Sequence, residues 1–424
     1  MGIAIRGGRL LDPANGVDGV MDLFIADQQV AAVGGKPRGF RIEREIDAHG
    51  QVVCPGLIDL CARLREPGEE HRASIASETR AAAQAGVTTL VCPPDTDPVI
   101  DETAVVELIR RRAEAAGQAR VLTLGALTQG LQGEQLAEMA ALKEAGCVGV
   151  SNALAPVTNT LVLRRSLEYA ATYRLTVFLT PMDPWLTAGG CAHEGVMATH
   201  LGLTGIPAAA ETSMVARDLA LLEGIGVRTH FCRLSSAGAA AMVAAAQARG
   251  MPVTADVSAH HLQLTELDLA GFNSLCHVSP PLRSPQDRDG LRAGLASGVI
   301  AAICSDHQPH EPDAKEAPFG DTLPGISGLD TLLALGLRLA EEGVLPLPAV
   351  IERLTAGPAR ILGLALGQLG PGAIADVCVF DPEQVWILDA KTMVSRGHNS
   401  PFLGRGFRGK VTCTLLAGKI VYQA

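Results

Sequence analysis

The chain has 424 residues, 47% of them hydrophobic and 19% charged, with 46 glycines and 25 prolines. This length suits one large α/β barrel with an appendage, and 35 Lys+Arg against 45 Asp+Glu leave no basic stripe for a nucleic-acid backbone. No apolar run approaches the roughly 18 residues of a membrane helix, and Met1 leads into Gly2–Arg6, a strand-like pattern rather than a secretory leader. Short strands with turns open the chain: Ile3–Arg6, Arg9–Leu11, Leu23–Ala26, Val30–Val33 and Arg41–Ile46, punctuated by Asp12-Pro13, Asn15-Gly16 and Gly34-Gly35.

From Val52 to about Leu366 the character changes. Short, continuous apolar runs recur at Leu57–Leu60, Val87–Cys92, Val121–Leu124, Val148–Ser151, Thr176–Thr180, Thr229–Leu234, Val253–Val257 and Ile300–Ser305. Runs without alternation predict parallel strands covered on both faces. Between them, Ala73–Ala85, Glu102–Ala116, Glu134–Ala145, Ala237–Ala248 and Asp287–Ala296 carry apolar residues at helical spacing, several ending at glycine. Eight strands alternating with helices predict a (β/α)₈ TIM barrel, an α/β fold.

After residue 370 the β character returns at Asp376–Phe380, Trp386–Leu388, Val411–Ala417 and Ile420–Tyr422. The two ends share a style that the middle lacks. They predict a small β-sandwich domain built from 1–54 with 367–424, and a barrel over 55–366. The ten cysteines form no CxxC pair and sit in apolar runs, as reduced thiols of a cytoplasmic protein would.

Catalytic side chains of a barrel lie at the C-terminal ends of its strands, and there the residues become specific. Cys54-Pro55-Gly56-Leu57-Ile58-Asp59, then Leu64-Arg65-Glu66-Pro67-Gly68, are followed in order by Gly202–Pro207, Val215-Ala216-Arg217-Asp218 and His260-His261-Leu262. Further on come Pro280-Pro281-Leu282-Arg283, Ser305–His310, Ala317-Pro318-Phe319-Gly320 and Asn399-Ser400-Pro401-Phe402. Together they resemble the amidohydrolase superfamily and its dihydroorotase branch, over essentially the whole chain.

That resemblance implies a zinc-activated hydroxide attacking a cyclic amide, with ions held by a His-x-His pair, a lysine carbamate or aspartate, two more histidines and a final aspartate. Those positions fall here on Cys61 and Arg63, on or beside Asn152, and on Thr180, Arg233 and Asp306. Only Asp306 keeps the family's residue type. A guanidinium stays protonated and has no lone pair to give, so zinc is expected to be absent. Arg63 and Arg233 are expected to fill the space by pairing with Asp306 or Asp183. In the substrate grip, Arg65 and His310 match the family, while Asp95 and Ser279 replace asparagines; Asp95 is expected to repel an anionic pyrimidine precursor.

Each candidate has a plainer reading beside its functional one. Asp306 reads as a salt-bridged remnant, Cys61 as a small buried hydrophobe, and Arg65 and His310 equally as local structural contacts. Adjacent strand residues point to opposite faces, so His260-His261 is not expected to hold one ion. Arg110–Arg112 reads as a solvated helix face and 311–325 as a loop over the barrel mouth. The resemblance extends to the pseudo-dihydroorotase chains of bacterial aspartate carbamoyltransferase, which have lost their zinc ligands and serve assembly. It implies an oligomer with that enzyme's catalytic chain and a vestigial site. A rebuilt, active cyclic amidohydrolase and a sensor of an anionic pyrimidine precursor stand as alternatives.

Overall fold

The computed structural model describes residues 2–424. Eight parallel strands hydrogen-bond in chain order: Leu57–Asp59, Val87–Cys92, Arg120–Ala126, Gly149–Ser151, Thr176–Leu179, Thr229–Phe231, Val253–Ser258 and Ala302–Cys304. The ladder stops short of joining the last strand to the first. The seam is closed instead by a parallel bridge between Ala62 and His307, with Arg63 N–H donating to the His307 carbonyl at 2.9 Å. Asp59 reaches across the same gap to the backbone and hydroxyl of Ser305. That reach explains why the last strand ends at Cys304, short of the predicted Ser305. The result is the expected (β/α)₈ barrel.

Apolar runs become strands here because both faces are covered: all six residues of Val87–Cys92 are buried. The barrel interior is packed with Ile58, Leu60, Val91, Leu124, Phe178 and Cys304, and Ile361 and Leu362 belong to the same cluster. Helices ring the outside. Ile75–Gln84 starts at a reciprocal cap in which Ser74 and Ser77 exchange side-chain-to-backbone hydrogen bonds. Gly86 turns the chain after that helix with a positive φ, and any side chain there would strike Cys378. The helix predicted over Glu134–Ala145 forms only from Met139 to Ala145. Its first turns are replaced by extended chain, because Gln129 N–H donates to the Gln135 carbonyl and Leu136 bridges Thr128. Helices at Thr160–Thr172 and Ala209–Leu222 complete stretches for which no helix was predicted.

Strands from the two ends of the chain build two further sheets. A six-stranded sheet runs Lys419–Gln423, Gly406–Leu416, Val377–Ile387, Val52–Pro55, Arg9–Asp12, Val17–Val20. A four-stranded sheet runs Gln29–Val33, Leu23–Ala26, Ile3–Arg6, Arg44–Asp47. Between them lies a core of Ile3, Ile5, Ile25, Val53, Val379 and Leu415. The two predicted strands Asp376–Phe380 and Trp386–Leu388 are one long strand with register shifts around Pro382, where a missing N–H is tolerated. The other sheet face joins the barrel core, for Cys54, Cys378, Phe380 and Val411 share a cluster with the barrel helices.

Candidate functional site

The loops at the C-terminal ends of the barrel strands bring Cys61, Arg63, Thr180, Arg233 and Asp306 together. Arg65, Arg233 and Asp306 have φ of 63°, 52° and 46°, the left-handed region that costs a non-glycine residue on the order of 1 kcal/mol or more. These turns aim the three side chains into the mouth.

Asp306 is at the centre. Its Oδ1 lies 3.3 Å from Arg63 Nη1 and 3.5 Å from Arg233 Nε. Gln308 Nε2 donates to the same oxygen at 3.4 Å, and the Cys61 thiol lies 3.5 Å away. Arg233 Nη1 is 3.0 Å from Cys61 Sγ, and its Nη2 donates to Thr180 Oγ1 at 2.7 Å. Arg63 Nε donates to Asp95 Oδ2 at 2.9 Å. Two guanidinium groups and two carboxylates thus form one compact cluster whose charges balance. Burial pushes the Cys61 thiol up to about 12 although Arg233 and Arg63 pull it down. It is a neutral thiol at neutral pH, a poor nucleophile in that form. Burial works against the charge on both arginines, yet their acidic surroundings hold them well above the ordinary guanidinium value.

Of the two carboxylates expected as partners of the arginines, Asp306 is the one that serves, and the expectation of a repelling Asp95 is corrected. Asp183 does not pair with either arginine; its carboxylate caps the helix Pro184–Thr187 by accepting from Trp185 and Leu186 N–H. Asp95 is not a free repelling charge, because Arg63 occupies it. Asn152 is turned away from the centre: its Oδ1 accepts from Thr128 Oγ1 at 2.8 Å, and its Nδ2 donates to the carbonyls of Leu131 and Ala155. Ser279 is half-buried in the bend before Pro280 and, among the described residues, takes no part in this network.

The substrate-grip positions are engaged by the protein itself. Arg65 Nε donates to the Pro309 carbonyl at 3.0 Å and Nη1 to Glu69 at 2.8 Å. His310 Nε2 lies 3.0 Å from the Pro324 carbonyl and 3.3 Å from Arg65 Nη2. Burial, then the nearby Arg65, push His310 down to about 3, keeping the ring neutral. Gln308, Glu69 and Asn399 were missed as participants. Asn399, which holds the backbone of residues 308–310 in place, stood in a quoted motif with no role attached.

A divalent ion needs about four N, S or carboxylate donors. The mouth offers two carboxylates already paired with guanidinium groups, a neutral thiol, and a hydroxyl committed to Arg233. This donor set does not fit zinc. The cavity between Arg63, Arg65 and Asp95 is about 10 Å³ and that beside Asn152 and Thr180 about 20 Å³, each water-sized, while a larger one of about 230 Å³ lies against His310, Lys315 and Asn399. Among the described residues, His230, Cys232 and Asp256 inside the barrel bring three donor atoms within 4.8 Å of one another. Both His230 nitrogens are taken there, by Thr254 Oγ1 at 2.8 Å and Asp256 Oδ2 at 3.0 Å. His260 and His261 are bridged by Ser258 and pair with each other rather than facing an ion.

The dihydro-orotase-like family model matches residues 50–239 and the amidohydrolase family model residues 200–421. A dihydroorotase-like protein of Pseudomonas aeruginosa is 50% identical over 423 residues, covering 100% of both chains. A dihydroorotase of Geobacter sp. (strain M21) is 43% identical over 427 residues, again covering 100% of both. Among solved structures, the L-hydantoinase (dihydropyrimidinase) of Arthrobacter aurescens superposes with a TM-score of 0.88 at 22% identity, over 99% of this chain and 96% of that one, a likeness of fold. With a closed parallel barrel, the strained mouth turns and these full-length relatives in hand, the chain belongs to the amidohydrolase family, on its dihydroorotase-like branch.

Proposed function

We propose that this chain is a non-catalytic dihydroorotase-like protein, a structural subunit that assembles with the catalytic chain of aspartate carbamoyltransferase in pyrimidine biosynthesis and binds no zinc at its barrel mouth. One observation carries the catalytic half: Arg63 and Arg233 converge on Asp306 where the family's ligands would stand. A cation cannot share a site with a divalent ion, and the carboxylate that would shuttle a proton is held between two guanidinium groups. The partner half rests on the resemblance, together with an intact barrel and both β sheets around a filled mouth. Such a chain keeps a surface for assembly while losing its chemistry.

The first measurement is the zinc content of protein purified from zinc-supplemented cells without chelators, alongside turnover of dihydroorotate. The expected result is below about 0.1 zinc per chain, since a hydrolytic site requires a stoichiometric ion, with no ring opening. Co-expression with the aspartate carbamoyltransferase chain of the same organism is then expected to yield a complex stable to gel filtration. Separate elution of the two chains would remove the assembly role. The second reading, a cyclic amide hydrolase with a rebuilt site, is favoured by full-length relatives named dihydroorotase at 43% and 44% identity. Near one zinc per chain with turnover, it replaces the first.

A further inference from the structure

A cavity of about 280 Å³ lies away from the mouth and shares no lining residue with it. It opens where the helix Leu332–Glu341 meets the six-stranded sheet. Leu333, Ala334 and Leu388 supply apolar wall, and the rings of Trp386 and Tyr422 line it as well. Trp386 is a fixed surface: its Nε1 donates to the Gly409 carbonyl at 2.9 Å, and its ring packs 5.3 Å from that of Phe407. Into this setting projects Asp330. Its Oδ1 accepts from Val394 N–H at 3.1 Å, whereas its Oδ2 is buried and has no hydrogen-bond partner among the described residues.

A buried carboxylate oxygen without a partner, beside a cavity lined by apolar and aromatic groups together with Gln84, Thr392 and Lys410, carries a desolvation cost that a cation would offset. Burial pushes the Asp330 carboxyl above its ordinary value, the direction expected of a carboxylate lacking a counter-ion. Charged groups around it do not supply one: Glu78 opposes ionisation, His307 is bonded to Glu78, and Lys410 lines the cavity without a salt bridge among the described residues. Aromatic faces beside a carboxylate suit an ammonium group on an apolar body. The volume suits a molecule smaller than a drug-sized ligand. We propose that this cavity is a binding site for a small organic cation, a primary amine on an apolar or aromatic body, with Asp330 as its counter-ion.

The test uses the full chain carrying Trp185→Phe, which leaves Trp386 as the sole tryptophan of the two; Trp185 is 82% exposed and its replacement is tolerable. Titration with 2-phenylethylamine is expected to change Trp386 fluorescence saturably, with half-saturation at about 1 mM or below, as its atom count permits. The neutral isostere 2-phenylethanol is expected to bind at least about tenfold more weakly. Asp330→Asn keeps an acceptor for Val394 N–H and is expected to lose affinity by a similar factor, while Lys410→Gln is expected to retain or improve it. No saturation by about 20 mM, a concentration well above that midpoint, would overturn the proposal. So would equal binding of amine and alcohol, a comparison that needs no variant at Asp330.

Discussion

Asp306 holds two buried guanidinium groups, so its removal exposes what the cluster contributes. Breaking a buried ion network on one side leaves an uncompensated charge, and Asp306→Ala is expected to cost about 3–5 kcal/mol, read from urea unfolding. Replacing the cluster with apolar residues of similar size is a different experiment. The triple variant Arg63→Met, Arg233→Met, Asp306→Leu is expected to cost less than Asp306→Ala alone, because it removes three of the four charges together and leaves only Asp95, which is part-exposed to water. A triple variant less stable than the single one would mean that the cluster holds the mouth through its geometry and not as a filler of vacated space. Cys61→Ser is expected to be nearly silent toward alkylating reagents at pH 8, because the neutral buried thiol it replaces is already unreactive; mass spectrometry after iodoacetamide checks this.

The turn after the seventh barrel strand makes stability depend on pH. His261 Nε2 donates to the Pro281 carbonyl at 3.2 Å, which leaves its Nδ1 as an acceptor for the Ser258 hydroxyl at 2.6 Å. Ser258 Oγ in turn accepts from His260 Nε2 at 3.0 Å. Each hydrogen has one place, and the chain of bonds requires the His261 ring to be neutral, since its Nδ1 must accept. Burial, assisted by Arg233 at His260 and by His260 at His261, pushes both down to about 3. The unfolded rings titrate near 6.5, so between 6.5 and 3 the unfolded chain binds more protons and stability rises with pH. Stability is full above about pH 7 and falls by about 2 kcal/mol per ring at pH 5. Urea melts at pH 7.5 and 5.0 check this, and His260→Asn with His261→Asn is expected to flatten the difference. The helix Ile75–Gln84 matters for another reason: it presents Glu78 to His307 at 2.7 Å and to Ser395 at 2.6 Å, tying the seam to the C-terminal segment. Ser74→Ala removes its cap and is expected to cost about 1 kcal/mol, visible as a lower Tm.

At the scale of the molecule, the barrel and the end-built sheets are not separable. Leu11, Val52, Cys54, Cys378, Phe407 and Val411 lie in the same buried cluster as the barrel helices. Arg120, on the third barrel strand, pairs with Asp376 at 2.7 Å. A chain ended after residue 366 would uncover this face and leave Val52–Pro55 without its neighbour Val377–Phe380. It is expected to be insoluble or to lack a cooperative unfolding transition, as followed by circular dichroism; a soluble, cooperative fragment would show that the barrel carries its own stability.

The eight barrel strands and the β character of both ends could be read from the sequence, as could the residue types, Cys61, Arg63, Thr180, Arg233 and Asp306, that meet at the mouth. Buried parallel strands write themselves as apolar runs, and a ligand needs a particular residue type at a particular place, so both are local signals. The tertiary structure decided which groups meet. Arg63 is 32 residues from Asp95 and 243 from Asp306; no spacing rule selects those partners over Asp183, which a helix end 184–187 claims instead. The same holds for Asn152, drawn to Thr128, and for Leu136, drawn out of a helix by the strand-like pairing of its neighbours. Asp330 gave no signal in the sequence, because an unpaired carboxylate oxygen exists only once Leu333, Trp386 and Tyr422 have closed around it. Residue type is inherited position by position, whereas pairing depends on distances that the closed barrel sets.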